Sequence, residues 1–564
     1  MLRWNSERCV AEKAELPNWW MSKTKEQTIY ETAQSLLNAG NSEISDCLRF
    51  DGLIDQNMKH KIYQLKCEIF NNDPENFEGT PIARSELDRI RKARASANPF
   101  EQIGKSCFIN RAAVKLASID AALGFVLSEN NRQTRETGQL LFADLCGGPG
   151  GFSEYLIWRL SGGPNMQNIK QNRVKGFGLT LRNKHDDFQQ DRWSSLQKRM
   201  RLGDKLPFTA LYGPFSNESN GDITSAKNRQ YFVENVRREA PNGCGLVLGD
   251  GGFDMSGKEQ RQEHLISKLL AYEFVLALQL LATGKETGNL MFSTQITLIF
   301  FCLLGGNFVC KLFDVFNPVT GILLYVLSTF FEQLTVLKPC TSRPANSERY
   351  VVGLNFLPVD RDLVQAIADA VTQAADSLDT NSGQVDYLPF MRFIQPRAVP
   401  CEFITFLHGL NTEIASRQIA ALEDLLDEAR DPKNERWKRS EAHRETIMQV
   451  ADECSRRWSL PPSSACSDFG SSSNDSLTSK SDSNNFSFNK FQGLAIASEN
   501  WRSNRSQSAH FGTNIQNSKY GANPFSKGTN DKSFFNGANG NGANNAGWKR
   551  GVADSVTNWR QGSA

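Results

Sequence analysis

From residue 140 to residue 356, short apolar runs alternate with longer stretches in which apolar positions recur at helical spacing. Leu140 to Ala143 is an apolar run ending at Asp144, and Ser153 to Trp158 opens a helix. Val174 to Leu181 reads as a strand, Gly243 to Gly249 as a buried strand ending at Asp250, and His264 to Ala282 as a long amphipathic helix. Asn307 to Phe313 is a strand containing Lys311, Gly321 to Leu334 a helix, and Arg349 to Phe356 a strand preceded by Glu348. Strands alternating with helices predict an α/β fold: a doubly wound, Rossmann-like, mainly parallel sheet with helices on both faces. Ligands of such sheets sit at the carboxyl ends of the strands, where Asp144, Asp250 and Lys311 fall.

The flanks have different patterns. Met58, Ile62, Leu65 and Ile69 recur at helical spacing inside an otherwise polar N-terminal extension, residues 1–84. Ser85 to Arg94 is charged and helix-compatible until Pro99 stops it. Next, Ile109, Ala112, Ala113, Leu116 and Ile119 make one helical face, with Lys115 beside it. After the sheet-forming region, residues 85–358, a small helical C-terminal unit is expected over 359–460. From Pro461 the composition becomes Ser, Asn and Gly with isolated aromatic and basic residues. Such a segment buries too little apolar surface to offset its ordering entropy, so 461–564 is expected to be a disordered tail.

Composition narrows the classes. With Lys+Arg 64 against Asp+Glu 62, the net charge of +2 excludes a wholesale basic coat, so any nucleic-acid contact must be local. The 12 cysteines form no Cys-x-x-Cys pair and there are only 6 histidines, which points to a reducing compartment and no metal site. Met1 to Lys25 has no apolar core of a signal peptide. The run Leu290 to Leu304 contains Ser293, Thr294, Gln295 and Thr297 and is shorter than the roughly 20 residues a bilayer span needs, so no membrane helix is expected.

The chemistry begins at Asp144-Leu145-Cys146-Gly147-Gly148-Pro149-Gly150-Gly151-Phe152. Glycines there let the backbone turn sharply and approach a ligand at a helix N-terminus. No Gly-Lys-Ser/Thr follows, so the loop is not a P-loop; it suits a ligand with an adenosine and a short polar tail, such as S-adenosylmethionine.

That loop, the strand end Leu248-Gly249-Asp250-Gly251-Gly252-Phe253, Phe308-Val309-Cys310-Lys311 and the string Thr341-Ser342-Arg343-Pro344-Ala345-Asn346-Ser347-Glu348-Arg349-Tyr350 resemble the FtsJ-like (RrmJ-type) ribose 2′-O-methyltransferases. Arg91 to Phe100 and Asn110 to Lys115 narrow the resemblance to members acting on the first transcribed nucleotide of capped mRNA. The resemblance implies an S-adenosylmethionine-dependent enzyme of the nucleus whose partners are the capped mRNA 5′ end and the transcription machinery. It implies a catalytic tetrad of Lys115, Asp250, Lys311 and Glu348, with Lys311 as general base. Cofactor contacts carry over to Asn110, Cys146, Gly147, Gly148, Pro149, Gly150, Gly151, Phe152, Asp222 and Ile223, and substrate contacts to Arg94, Gln260 and Asn346. A lysine takes a hydroxyl proton only if its pKa is lowered, so the second cation, Lys115, is expected to disfavour a charged Lys311. Cap-2 and ribosomal-RNA ribose methylation, and an inactive RNA-binding module, are the alternatives. One departure from the family stands out: residues 285–305 interrupt the passage from Thr283-Gly284 to Gly306 and look inserted, as an unspliced intron or as a family-specific loop.

Overall fold

The computed structural model describes residues 20–21, 26–37, 49–70, 98–104, 106–162, 172–183, 185–193, 206–214, 219–252, 261–283, 305–379, 386–430 and 441–460, with isolated positions between 85 and 93. The expected disordered tail (461–564), residues 285–304 of the expected insertion, Arg94 and Gln260 lie outside the described residues.

Among the described residues eight strands form one sheet: β1 (Trp20–Met21), β2 (Leu140–Leu145), β3 (Val174–Leu179), β4 (Phe208–Ala210), β5 (Leu246–Gly249), β6 (Asn307–Leu312), β7 (Phe331–Leu337) and β8 (Arg349–Phe356), in the order β1-β7-β8-β6-β5-β2-β3-β4. The α/β fold and its two-sided winding agree with the sequence reading. Neighbouring strand residues go to opposite faces: Phe142, Leu248, Val309 and Val352 to one core, Ala143, Val247, Cys310 and Val351 to the other. Both faces being covered explains why these strands read as near-continuous apolar runs.

The longer helices among the described residues are α1 (Glu26–Leu37), α2 (Gln56–Phe70), α3 (Arg111–Ala122), α4 (Gly151–Ser161), α5 (Ala226–Glu239), α6 (Gln262–Leu280), α7 (Pro318–Ser328), α8 (Arg361–Asp376), α9 (Cys401–Arg430) and α10 (Glu441–Arg457). Helices α3 and α4 cover one face, and α6, α7 and α8 the other. No described helix is long and apolar enough to cross a membrane.

One expectation is corrected and two are refined. The sheet is mixed: β2, β3, β4, β5 and β6 pair in parallel, but β8 runs antiparallel to both β6 and β7, and β1 antiparallel to β7. The helix expected over 321–334 is the helix α7 followed by the strand β7. Asn317 caps α7 by accepting from Thr320 N, and the chain turns at Thr329-Phe330. No polar residue interrupts Gly321 to Leu327, so periodicity alone does not mark where the helix stops. Finally, the helices of 359–460 do not stand apart. Helix α8 packs on α6 and α9 on α2, while Trp458 joins the core under α4, where Arg159 Nη1 donates to its carbonyl at 3.2 Å; the described residues form one compact unit.

The switch in strand order falls between β2 and β5, which opens a crevice at their carboxyl ends. At the opposite end of the sheet, Ala282 N donates to Cys244 O and Gly306 N to Ala282 O, both at 2.9 Å. The backbone is thus hydrogen-bonded directly across the segment between these residues. A chain lacking residues 285–304 is expected to keep its far-UV circular dichroism and its cooperative melting, since closing a loop shorter costs less entropy. Loss of the cooperative transition would show that the segment contributes to the fold.

Candidate active site

The crevice is built first by the loop after β2. Cys146 N donates to Leu179 O at 2.7 Å, which holds the strand end against β3, and Cys146 takes a φ of 54°. Gly150 has a φ of 109° and serves as N-cap of α4, and as a glycine it offers no side chain to cap the first N–H groups of the helix. A Cβ on Gly150 would collide with the Trp193 indole, and one on Gly147 with the Asp144 carboxylate. Asn110 caps α3 by accepting from Ala112 N at 3.0 Å, and its Oδ1 lies where a Cβ on Gly151 would fall. The loop and the start of α3 are therefore in contact. Beyond β4, Asp222 Oδ1 accepts from Thr224 N at 2.8 Å, and the Ile223 carbonyl accepts from Arg229.

These residues fit an S-adenosylmethionine-like ligand on two counts. Asp144 is fully buried; its Oδ2 accepts from Ser153 Oγ at 2.5 Å, but its Oδ1, which faces Gly147, accepts nothing from the described residues. Burial pushes its carboxyl up to about 7, with the Ser153 hydrogen bond opposing and Asp250 reinforcing the shift. A bare acceptor beside uncapped helix N–H groups offers complementary partners to a ligand carrying both hydrogen-bond donors and a carboxylate. The sequence reading placed Asp144 at a strand end without assigning it a role.

The second half of the crevice holds two lysine–carboxylate pairs. Lys311 Nζ lies 3.1 Å from Asp250 Oδ1 and donates to the Asp250 carbonyl at 2.7 Å. Lys115, from α3, reaches Glu348: Nζ lies 2.8 Å from both carboxylate oxygens, donating to Oε2. The antiparallel β8 explains the second pair. Leu312 faces Arg349 and Lys311 faces Tyr350, so the residue before the start of β8 arrives at the end of β6. In an all-parallel sheet Glu348 would have lain at the far edge.

The electrostatics depart from expectation. Burial works to lower the Lys311 pKa, but Asp250 and Glu348 outweigh it, so Lys311 is held above its ordinary value and is an ammonium at neutral pH. Lys115 is paired with Glu348, and the carboxylates around Lys311 decide the direction of its shift. Glu348 is driven down to about 2: burial opposes the shift, and Lys115 and Lys311 more than offset it. The lysine that burial does lower, to about 7, is Lys338 at the end of β7. It donates to the Asn346 carbonyl at 2.5 Å and the Glu348 carbonyl at 2.8 Å. Sequence reasoning missed Lys338 because β7 was merged into a helix; as a strand end before Pro339 it would have stood out.

Two further buried acids were also missed. Beneath Asp250, Glu273 accepts from Gly251 N at 3.0 Å and from Cys310 Sγ at 3.4 Å, and burial pushes it up to about 8. Behind the Asn346–Arg349 segment, Asp314 receives Arg349 Nη2 at 2.9 Å and Ser347 Oγ at 2.8 Å. Both join residues far apart in the chain, and neither carries a local motif.

Comparison with known proteins follows this geometry. Residues 108–356 match the family model described as FtsJ-like methyltransferase. Three relatives are named cap-specific mRNA (nucleoside-2'-O-)-methyltransferase 1. The chain is 32% identical to that of Bos taurus over 419 residues, covering 70% of this chain and 44% of the relative. It is 32% identical to that of Homo sapiens over 386 residues (66% and 40%), and 30% identical to that of Drosophila melanogaster over 378 residues (66% and 41%). The chain thus spans less than half the length of these curated relatives.

Proposed function

We propose that the chain, whose residues 108–356 match the FtsJ-like methyltransferase model, methylates the ribose 2′-hydroxyl of the first transcribed nucleotide of capped mRNA, with S-adenosylmethionine as donor. The observation that carries this reading is the pair of lysine–carboxylate contacts, Lys311–Asp250 and Lys115–Glu348, closing on the strand ends beside the glycine loop. The relatives' names support the capped substrate. On the same reading the chain works in the nucleus, beside the transcription machinery that produces capped 5′ ends.

Asn110, Asp222, Ile223 and the loop from Cys146 to Phe152, with Asp144 beneath it, would hold the donor. When bound, S-adenosylmethionine supplies an electrophilic methyl group and a sulfonium charge. The protein must orient a ribose hydroxyl and receive its proton. Lys311 Nζ is placed for that proton, but as an ammonium it has no lone pair to accept one. Its proton has to leave first, and the Asp250 Oδ1 contact at 3.1 Å is the longer of its two to Asp250. A hydroxyl entering the crevice competes for that contact, and any added positive charge nearby favours the neutral amine. Lys115, held by Glu348, would help to position the same hydroxyl. The four groups titrate as a cluster, so the proton-accepting step belongs to the set.

The test is a labelled methyl donor offered with cap-0 RNA and with the same RNA uncapped, followed by nuclease digestion. Label on the 2′-oxygen of the first nucleotide of capped RNA alone is the expected result. Equal labelling of uncapped RNA would favour a ribosomal substrate, and binding without transfer an RNA-binding module.

A further inference from the structure

The segment Asn346–Arg349 is secured from behind by side chains that lie outside the matched domain. Lys66, on α2, is 4% exposed; its Nζ donates to Ser347 Oγ at 2.7 Å and lies 3.3 Å from Asp314 Oδ2. From α9, Gln418 Nε2 donates to Ala345 O and to Ser347 Oγ, each at 3.3 Å. Ser347 sits between Asn346, which the family resemblance assigns to substrate, and Glu348, which holds Lys115. One hydroxyl thus receives two helices, and both helices come from sequence beyond residues 108–356.

We propose that Lys66 is a positioning residue for the substrate side of the active site: through Ser347 it sets where Asn346 and Glu348 stand, and so it governs productive engagement of RNA and not of the methyl donor. The proposal rests on the functional reading above. The physical reason lies in the chain's local structure. Residues 341–348 form a turn-rich connection between β7 and β8 that makes no strand pairs of its own, so tertiary bonds must hold it. Lys338 takes two of its carbonyls from the sheet side, and Lys66 takes the buried Ser347 hydroxyl from the other. With Lys66 removed, Asp314 keeps Arg349 as its counter-charge, so no buried carboxylate is left unpaired and the fold is expected to survive.

The experiment uses the full chain carrying Lys66→Met, with Lys66→Arg as the conservative partner, alone and combined with Asn346→Ala. Three quantities are read: the Kd for S-adenosylhomocysteine, the Kd for capped RNA, and the KM and kcat for methyl transfer to capped RNA. Lys66→Met is expected to leave the S-adenosylhomocysteine Kd unchanged and to raise the RNA Kd and KM by about tenfold, the size of a single net hydrogen bond to a charged group. Lys66→Arg should restore part of that loss, and in the Asn346→Ala background Lys66→Met should add little, because both changes act on one contact. Unchanged RNA parameters would overturn the proposal. So would equal weakening of S-adenosylhomocysteine and RNA, or full additivity with Asn346→Ala. If the unaltered protein binds S-adenosylhomocysteine but neither binds nor methylates capped RNA, the functional reading falls, which is a separate result.

Discussion

Lys311→Ala is expected to lower methyl transfer to capped RNA by about 10²–10⁴-fold, the usual contribution of one proton-transferring side chain, while leaving S-adenosylhomocysteine binding unchanged. Lys311→Arg distinguishes proton acceptance from charge. A guanidinium can keep the contact to Asp250 but cannot be deprotonated, so this variant should be as inactive as the alanine one. The pH profile adds an independent check. Because Asp250 and Glu348 hold Lys311 above its ordinary pKa against the effect of burial, the neutral amine is scarce at pH 7 and its share grows tenfold per pH unit. The unaltered protein should therefore show kcat/KM rising steeply between about pH 7 and 9, a slope that both variants lose. Near-native turnover in Lys311→Ala would end its assignment as the base.

The second large effect is on stability. Asp314→Asn keeps the shape of the side chain and removes the charge that Arg349, wholly buried, and Lys66 both face. Removing one partner of a buried ion pair leaves an uncompensated charge and typically costs about 3–5 kcal/mol, which equilibrium denaturation would measure. The pH dependence follows from the direction of the shift. Burial works to raise the Asp314 pKa, but Lys66 and Arg349 outweigh it, so the folded value lies below the unfolded one. The stabilisation is therefore fully present above about pH 4, the unfolded value, and is lost as pH falls through the lower folded value. The gap between the native protein and Asp314→Asn should be widest at neutral pH and narrow in acid. A gap that does not change with pH would mean that the substitution acts through packing instead of charge.

The sequence made the sheet legible where its signals were local. Apolar runs closed by Asp144, Asp250 and Lys311 placed three strand ends correctly at one edge, and the glycines after Asp144 announced a close approach. What was hidden depended on pairing. Nothing in Arg349 to Phe356 says that this strand runs against its neighbours, yet that direction alone delivers Glu348 to Lys115. The strand β7 was lost because its first residues were read as the continuation of the helix before it, and Lys338 was lost with it. The charge state of Lys311 was misjudged because the number of cations is visible in a sequence, whereas the partner of each is not: Lys115 faces Glu348, and Asp250 faces Lys311. The brace of Lys66, Asp314 and Ser347 spans 281 positions between its first and last members and has no sequence signature.

The hydrogen bond from Gly306 to Ala282 also bears on how the protein can be handled. It ties the two sides of one surface junction at the edge of the sheet farthest from the glycine loop, so that junction can host foreign sequence. A fluorescent domain or an affinity peptide placed there would report on the protein's whereabouts without touching the crevice at the carboxyl ends of the strands, and without using either terminus.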